Sequence, residues 1–221
     1  MSLRMIKLFK LAHCVEVSEI GTYPQVQIDW PWDVDYRGER SYIQTPLRGP
    51  VRHDIVFPRF TLEKVAKTND WVGDGGGVGM YYWMISTKLY EIVKTFKMDE
   101  HQYFPAPVHT PKGIVDYHLI YFPWPRGDDF IDWEKSTFQR VTASGERTVL
   151  QFENSKARNL ARDAHEIQIE SIVLHPEKMI FDTFRFRSFH SGFYVSERLK
   201  NAMEAAGMTG ILYEVPEWRP G

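Results

Sequence analysis

The chain has 221 residues, with 27 Lys and Arg against 29 Asp and Glu, and one cysteine, Cys14. That length suits one domain, or one and a half, with a core of its own. The near-neutral charge gives no basic footprint for nucleic acid, and a lone cysteine excludes an internal disulfide. No apolar run reaches the ~18 residues of a membrane span. The lysine-broken N-terminus makes no signal segment, so a cytoplasmic protein is expected.

In chain order, residues 5–17 alternate well enough to predict a first strand, and Gln25 to Asp29 a second. Between them and Pro50 the chain is irregular. There Asp29-Trp30-Pro31-Trp32-Asp33-Val34-Asp35-Tyr36 mixes aspartates with large aromatics and follows neither the helical nor the strand period. Such a segment either folds back onto the domain or faces a partner. Asp54 to Phe57 predicts a short strand, and Thr61 a cap for a helix through Lys67. The glycine loop of residues 69–79 fails the dinucleotide pattern. With Gly73 and Gly75 as the first two glycines, Val78 stands where the third belongs, and strand rather than helix follows.

Ser86 predicts an N-cap with a helix behind it, and residues 103–107 extended chain. Ile114 to Phe122 predicts one strand with Asp116 and His118 on a shared face. After a proline break, Asp128, Asp129, Asp132 and Glu134 interleave with Phe130, Ile131 and Trp133, a second acidic and aromatic stretch. Thr137–Val141 and Thr148–Phe152 predict a hairpin around Ser144-Gly145. Ser155 predicts a cap for a helix with the stripe Ala157, Leu160, Ala161 and Ala164. Glu166 to Leu174 and Met179 to Phe189 predict two strands, the latter setting Arg185 and Arg187 on one face.

Residues 191–215 close the chain as strand, helix, turn and strand. Ser196 is the predicted N-cap, and Leu199, Ala202, Met203 and Ala206 form one apolar stripe. Gly207 and Met208 predict a Schellman end. Residues 84–98 align with 194–208 without a gap: Ser86 with Ser196, Lys88 with Arg198, Leu89 with Leu199, Met98 with Met208. This is either an internal duplication or a grammar that two amphipathic helices share. Lys97 stands where Gly207 stands, so the first helix needs another ending.

The sequence shows no HExxH, no CxxC and no G-x-S-x-G elbow. The Asp116 and His118 face, with the arginines, would suit a hydrolase or transferase. Arg185 and Arg187 with the aromatics would suit a nucleic-acid module. The pattern Tyr194-Val195-Ser196-Glu197-Arg198-Leu199 through Thr209-Gly210-Ile211 resembles the C-terminal signature of a family of bacterial immunity proteins, formerly a domain of unknown function. These accompany polymorphic or contact-delivered toxins. Ile85-Ser86 with the later Tyr103-Phe104-Pro105 resembles a second family feature. The resemblance covers roughly the last two thirds of the chain, residues 73–221, behind an irregular, β-containing part over residues 1–72. It implies a protein that neutralises a cognate toxin by direct binding, without catalysis and without a cofactor.

The expected fold is α+β: a mostly antiparallel, mixed sheet with three or four helices. The expected toxin-facing residues are Trp30, Trp32, Asp33, Asp35, Asp128, Asp129, Asp132 and Trp133. Against a nuclease, the aspartates would imitate phosphates and the tryptophans would fill base pockets.

Overall fold

The computed structural model describes residues 7–29, 50–51, 55–73, 82–123, 125–142, 144–164, 166–186 and 192–216. The fold is α+β, and its strand pairs are antiparallel except one. At its centre one unit occurs twice. In the first, β4 (Tyr82–Ser86), α2 (Thr87–Val93) and β5 (Gln102–Pro105) form a right of passage from strand through helix to a parallel strand, and β8 (Tyr117–Tyr121) lies between the two strands, antiparallel to both. In the second, β13 (Phe193–Ser196), α4 (Glu197–Ala205) and β14 (Ile211–Glu214) do the same around β1 (Leu8–His13). Met84 and Phe104 both face Leu119, and Tyr194 and Glu214 both face Lys10. The register is therefore identical in the two units, with equivalent residues 110 positions apart from strand to strand. The alignment of residues 84–98 with 194–208 is a duplication of structure, not only of helix grammar.

The central strand is supplied differently. β8 follows β5 in the chain, whereas β1 comes from the N-terminus and closes the last unit. Each unit is flanked by its own sheet. β2 (Val26–Asp29), β3 (Arg59–Leu62), β6 (Val108–Thr110) and β7 (Gly113–Val115) lie in that order, with β3 and β6 the parallel pair. β10 (Arg147–Leu150), β9 (Thr137–Val141) and β11 (Glu166–Ser171) form the other. β12 (Thr183–Phe184) extends the second unit beside β13.

The core follows from this layout. Leu89 and Val93 of α2 and Leu199 and Met203 of α4 bury their stripes together with Trp83, Ile85, Ile120, Phe193 and Val195. The opposite faces of the two units go into separate cores. Met84, Tyr117 and Leu119 pack with Val26, Phe60 and Val108. Tyr194 and Leu8, the equivalents of Met84 and Tyr117, pack with Phe138, Ile167 and Phe184. Each unit thus shares one face with its twin and turns the other to its own sheet.

Several expectations are corrected. Thr61 lies in β3 rather than capping a helix, and its hydroxyl donates to Asp29. The strand expected over residues 114–122 is two strands, β7 and β8, in different sheets, broken at Asp116. Of residues 179–189 only Thr183–Phe184 form a strand among those described. The helix α3 (Ser155–Ala164) is capped one residue earlier than expected: the Ala157 amide donates to Asn154 Oδ1 at 2.9 Å. Its stripe is also rotated. Leu160 is 64% exposed, and Arg158, 5% exposed, lies inward over the Phe138 ring.

Candidate functional site

Of the expected toxin-facing residues, Trp30, Trp32, Asp33 and Asp35 lie outside the described residues. The second stretch begins with a 3-10 turn over Gly127–Phe130. The turn sits tight on the second unit: the Gly127 amide donates to the Arg185 carbonyl at 2.9 Å, and a Cβ on Gly127 would stand 2.4 Å from that oxygen. Phe130 is the buried anchor, edge-on to Phe184. Asp129 points outward and pairs with Arg126 Nε at 3.2 Å. Asp128 is half-buried and electrostatically coupled to Arg158.

Asp132 is largely buried, and Trp133 is half-buried. Asp132 is 7% exposed and accepts from the Lys135 ammonium at 2.7 Å and from the Lys135 amide. The Lys135 hydrogen bond holds its carboxyl below the usual carboxylate range. Trp133 stacks on Phe138, with the ring planes 13° apart. A cation stands beside each of the three aspartates, so this turn presents little uncompensated negative charge.

Among the described residues no hydrogen bond joins the Asp116 carboxylate to His118. His118 Nε2 meets the Thr87 hydroxyl at 3.2 Å, and that hydroxyl also donates to the Asp116 carbonyl, not its carboxylate. Burial holds His118 below the usual imidazole range, although Asp116 and Glu91 favour its charge. The imidazole is therefore neutral near pH 7. Arg185 is 4% exposed with its guanidinium over Phe193, so it does not stand on a solvated strand face. Arg187 lies outside the described residues.

Two aspartates that the sequence reading did not single out lock the duplicated units together. Ser86 Oγ caps α2, accepting from the Leu89 amide, and donates to Asp70 Oδ1 at 2.7 Å. Ser196 Oγ caps α4 through Leu199 and donates to Asp182 Oδ1 at 2.7 Å. In both units the serine amide also donates to the aspartate carbonyl at 2.8 Å. Each second carboxylate oxygen then reaches across. Asp70 Oδ2 accepts from the Thr209 amide and hydroxyl, on the chain leaving α4. Asp182 Oδ2 accepts from the Lys97 amide, on the chain leaving α2. Arg198 adds a two-pronged ion pair to Asp182. Burial alone would raise the Asp182 carboxyl, but the bonds from Arg198, Ser196 and Lys97 outweigh it and hold it below the usual range. Both aspartates precede their cap, at 14 and 16 residues. The unequal spacing sets Ile180 opposite Asp70 in the gapless alignment, so the repeat does not reveal them in the sequence.

The duplication also sets equivalent residues at one surface position, and there the units differ. In the second unit Lys200 of α4 lies over Phe9 of β1 and Tyr213 of β14, its ammonium 5.0 and 5.1 Å from the ring centres. Lys200 pairs with Glu204 and its side chain is 18% exposed. The register makes Tyr90, His118 and Tyr103 the equivalents of Lys200, Phe9 and Tyr213. The three rings meet at 4.9 Å (Tyr90 to His118, tilted), 5.2 Å (Tyr90 to Tyr103, tilted) and 6.2 Å (Tyr103 to His118, edge-on). Lys94 covers Tyr90 and is paired with Glu91. Tyr103 remains 54% exposed. Among the described residues no cation lies over it, and no ion pair holds the exposed Asp116 nearby. In one cluster a lysine lies over the two rings; in its twin the Tyr90 ring takes that place, and Tyr103 stays exposed. Among the described residues no group of side chains is arranged to hold a metal ion.

No protein-family model matches the chain, and no curated protein matches it in sequence.

Proposed function

We propose that this protein is an immunity protein that neutralises a cognate bacterial toxin by direct protein–protein binding in the cytoplasm, without a cofactor. The observation that carries this reading is the exposed Tyr103 of the first unit. A half-exposed tyrosine held rigid by two neighbouring rings is the kind of anchor that dominates binding interfaces, because it delivers contact area at little entropic cost. The twin cluster, on the same scaffold, is covered. The resemblance of residues 194–211 to the immunity signature adds the class of partner. Within the fold those residues hold the scaffold together: Ser196 caps α4, Leu199 is buried, and the Gly207 and Met208 amides close the helix by donating to the Glu204 and Met203 carbonyls. We place the interface elsewhere, at the exposed Tyr103 and Asp116, with the exposed Asp129 and the half-buried Asp128 as further candidates.

The test is capture of a partner from host cells that express the neighbouring toxin candidate, followed by rescue of growth from that toxin. A stoichiometric toxin, recovered with wild-type protein and tied to rescue, supports the reading. Full toxicity in cells producing folded protein, with no partner recovered, ends it.

A further inference from the structure

The two units are closed by different routes. In the first, β8 follows β5 along the chain, and its Ile120 lies 37 positions from its partner Trp83 and 17 from Tyr103. In the second, the equivalent Leu11 of β1 lies 182 positions from Phe193 and 202 from Tyr213. Closing the longer loop costs more chain entropy before any contact offsets it, so the pairings of β1 form after those of β8. β1 is the strand between the parallel β13 and β14, and among the described residues β14 has no other strand neighbour.

β1 is fastened at both ends. The Lys7 carbonyl accepts from the Glu197 amide at the start of α4, at 3.1 Å, and the Cys14 amide donates to the Gly210 carbonyl just before β14, at 3.0 Å. Between these points Leu8 enters one core and Leu11 the core that the two units share. Its ion pairs, Lys7 with Glu197 and Lys10 with Glu214, are exposed and add little. Beyond the buried Cys14 the chain turns outward at Val15, Glu16 and Val17, all exposed. It is anchored again at the buried Ile20, whose carbonyl accepts from the Lys67 amide at 2.8 Å. An exposed joint therefore separates β1 from firmly held chain. The latches on Asp70 and Asp182 hold α4 through Thr209 and Ser196, with no atom from β1.

We infer that β1 is a strap, the last strand to enter the fold and the first to leave. Its withdrawal parts β13 from β14 while the first unit and both latches stay closed. The second unit is thus complete only after residue 214 has been made, and its weakest joint is the long-range strand, not the helix. This holds whatever the protein binds.

Native-state hydrogen exchange on the full chain tests it. In the wild type the amides of β1 and β14 should exchange together, at least about tenfold faster than those of β8. Two mild substitutions at the equivalent buried positions then separate local from global opening. Ile120→Val weakens β8, which stays folded when the strap opens, so it should speed β8 exchange about fivefold and leave β1 and β14 unchanged. Leu11→Val weakens the strap itself and should speed all three strands by about the same factor. Equal protection of β1, β14 and β8 in the wild type overturns the strap. So does a β14 as slow as β8, or an Ile120→Val effect on β1 as large as that on β8.

Discussion

The two units share strand register, helix cap and buried stripe, yet each is finished differently. In the first, Asp70 is half-buried and braced by neutral donors from Thr209. In the second, Asp182 is 6% exposed and braced by Arg198. α4 ends in a Schellman turn on Gly207, with φ at +66°; α2 ends two residues sooner in the aligned register, where the Thr95 and Phe96 amides donate to the Ile92 and Val93 carbonyls. Over the equivalent rings the first unit sets Tyr90 and the second Lys200. One scaffold therefore tolerates a charged latch with a lysine over its rings, or a neutral latch with a third ring there. The duplicated residues specify the fold, and the unduplicated ones specify what the surface can do.

The largest effect should separate the latches. Asp182→Ala removes a buried acceptor shared by Ser196, Lys97 and Arg198 and should cost about 3 kcal/mol, against about 1.5 kcal/mol for Asp70→Ala. Urea unfolding of both variants measures the difference, and equal losses would erase the distinction between the units. Next in size are the caps. Ser86→Ala and Ser196→Ala should each cost about 1 kcal/mol, and Ser196→Ala should leave toxin capture intact in protein that remains folded. A weakened complex with unchanged melting would move α4 from scaffold to interface.

Acid should also distinguish the two. Asp182 has its folded carboxyl depressed, so its contribution is present above the unfolded carboxylate range, near pH 4, and is lost as pH falls through the folded value. Asp182→Asn should flatten that acid limb. His118 behaves in the opposite range. Its folded imidazole is depressed, so the unfolded chain binds the proton first, and stability declines as pH falls below about 6.5. His118→Phe copies Phe9 of the second unit and should remove this part of the pH dependence. A stability profile between pH 7 and 5 identical to wild type would contradict the burial assigned to His118. The smallest effect belongs to Tyr90→Lys, which gives the first cluster the residue of the second. Stability in urea unfolding should change by less than about 0.5 kcal/mol.

Residues 193–214 could be read almost atom by atom, because cap, stripe, αL glycine and terminal proline all act within a few residues of one another. The α+β class and most strands were legible for the same reason. The insertion of β1 and β8 between parallel strands was not, since those partners are distant in sequence and alternation does not name a neighbour. α3 misled because an arginine stacked on Phe138 took the inward place that a leucine ordinarily holds. Asp132 looked like a surface acid because its Lys135 partner acts through a turn that composition does not reveal. Tyr103 was visible only as an extended aromatic. Its exposure became informative beside its covered twin.

The interlock itself is most directly tested by native-state hydrogen exchange on the Lys97 and Thr209 amides. If the units brace each other, Asp182→Ala should speed exchange at Lys97 while sparing Thr209, and Asp70→Ala should do the reverse. Protection lost at both amides in either variant, or at neither, would contradict the reciprocal latch.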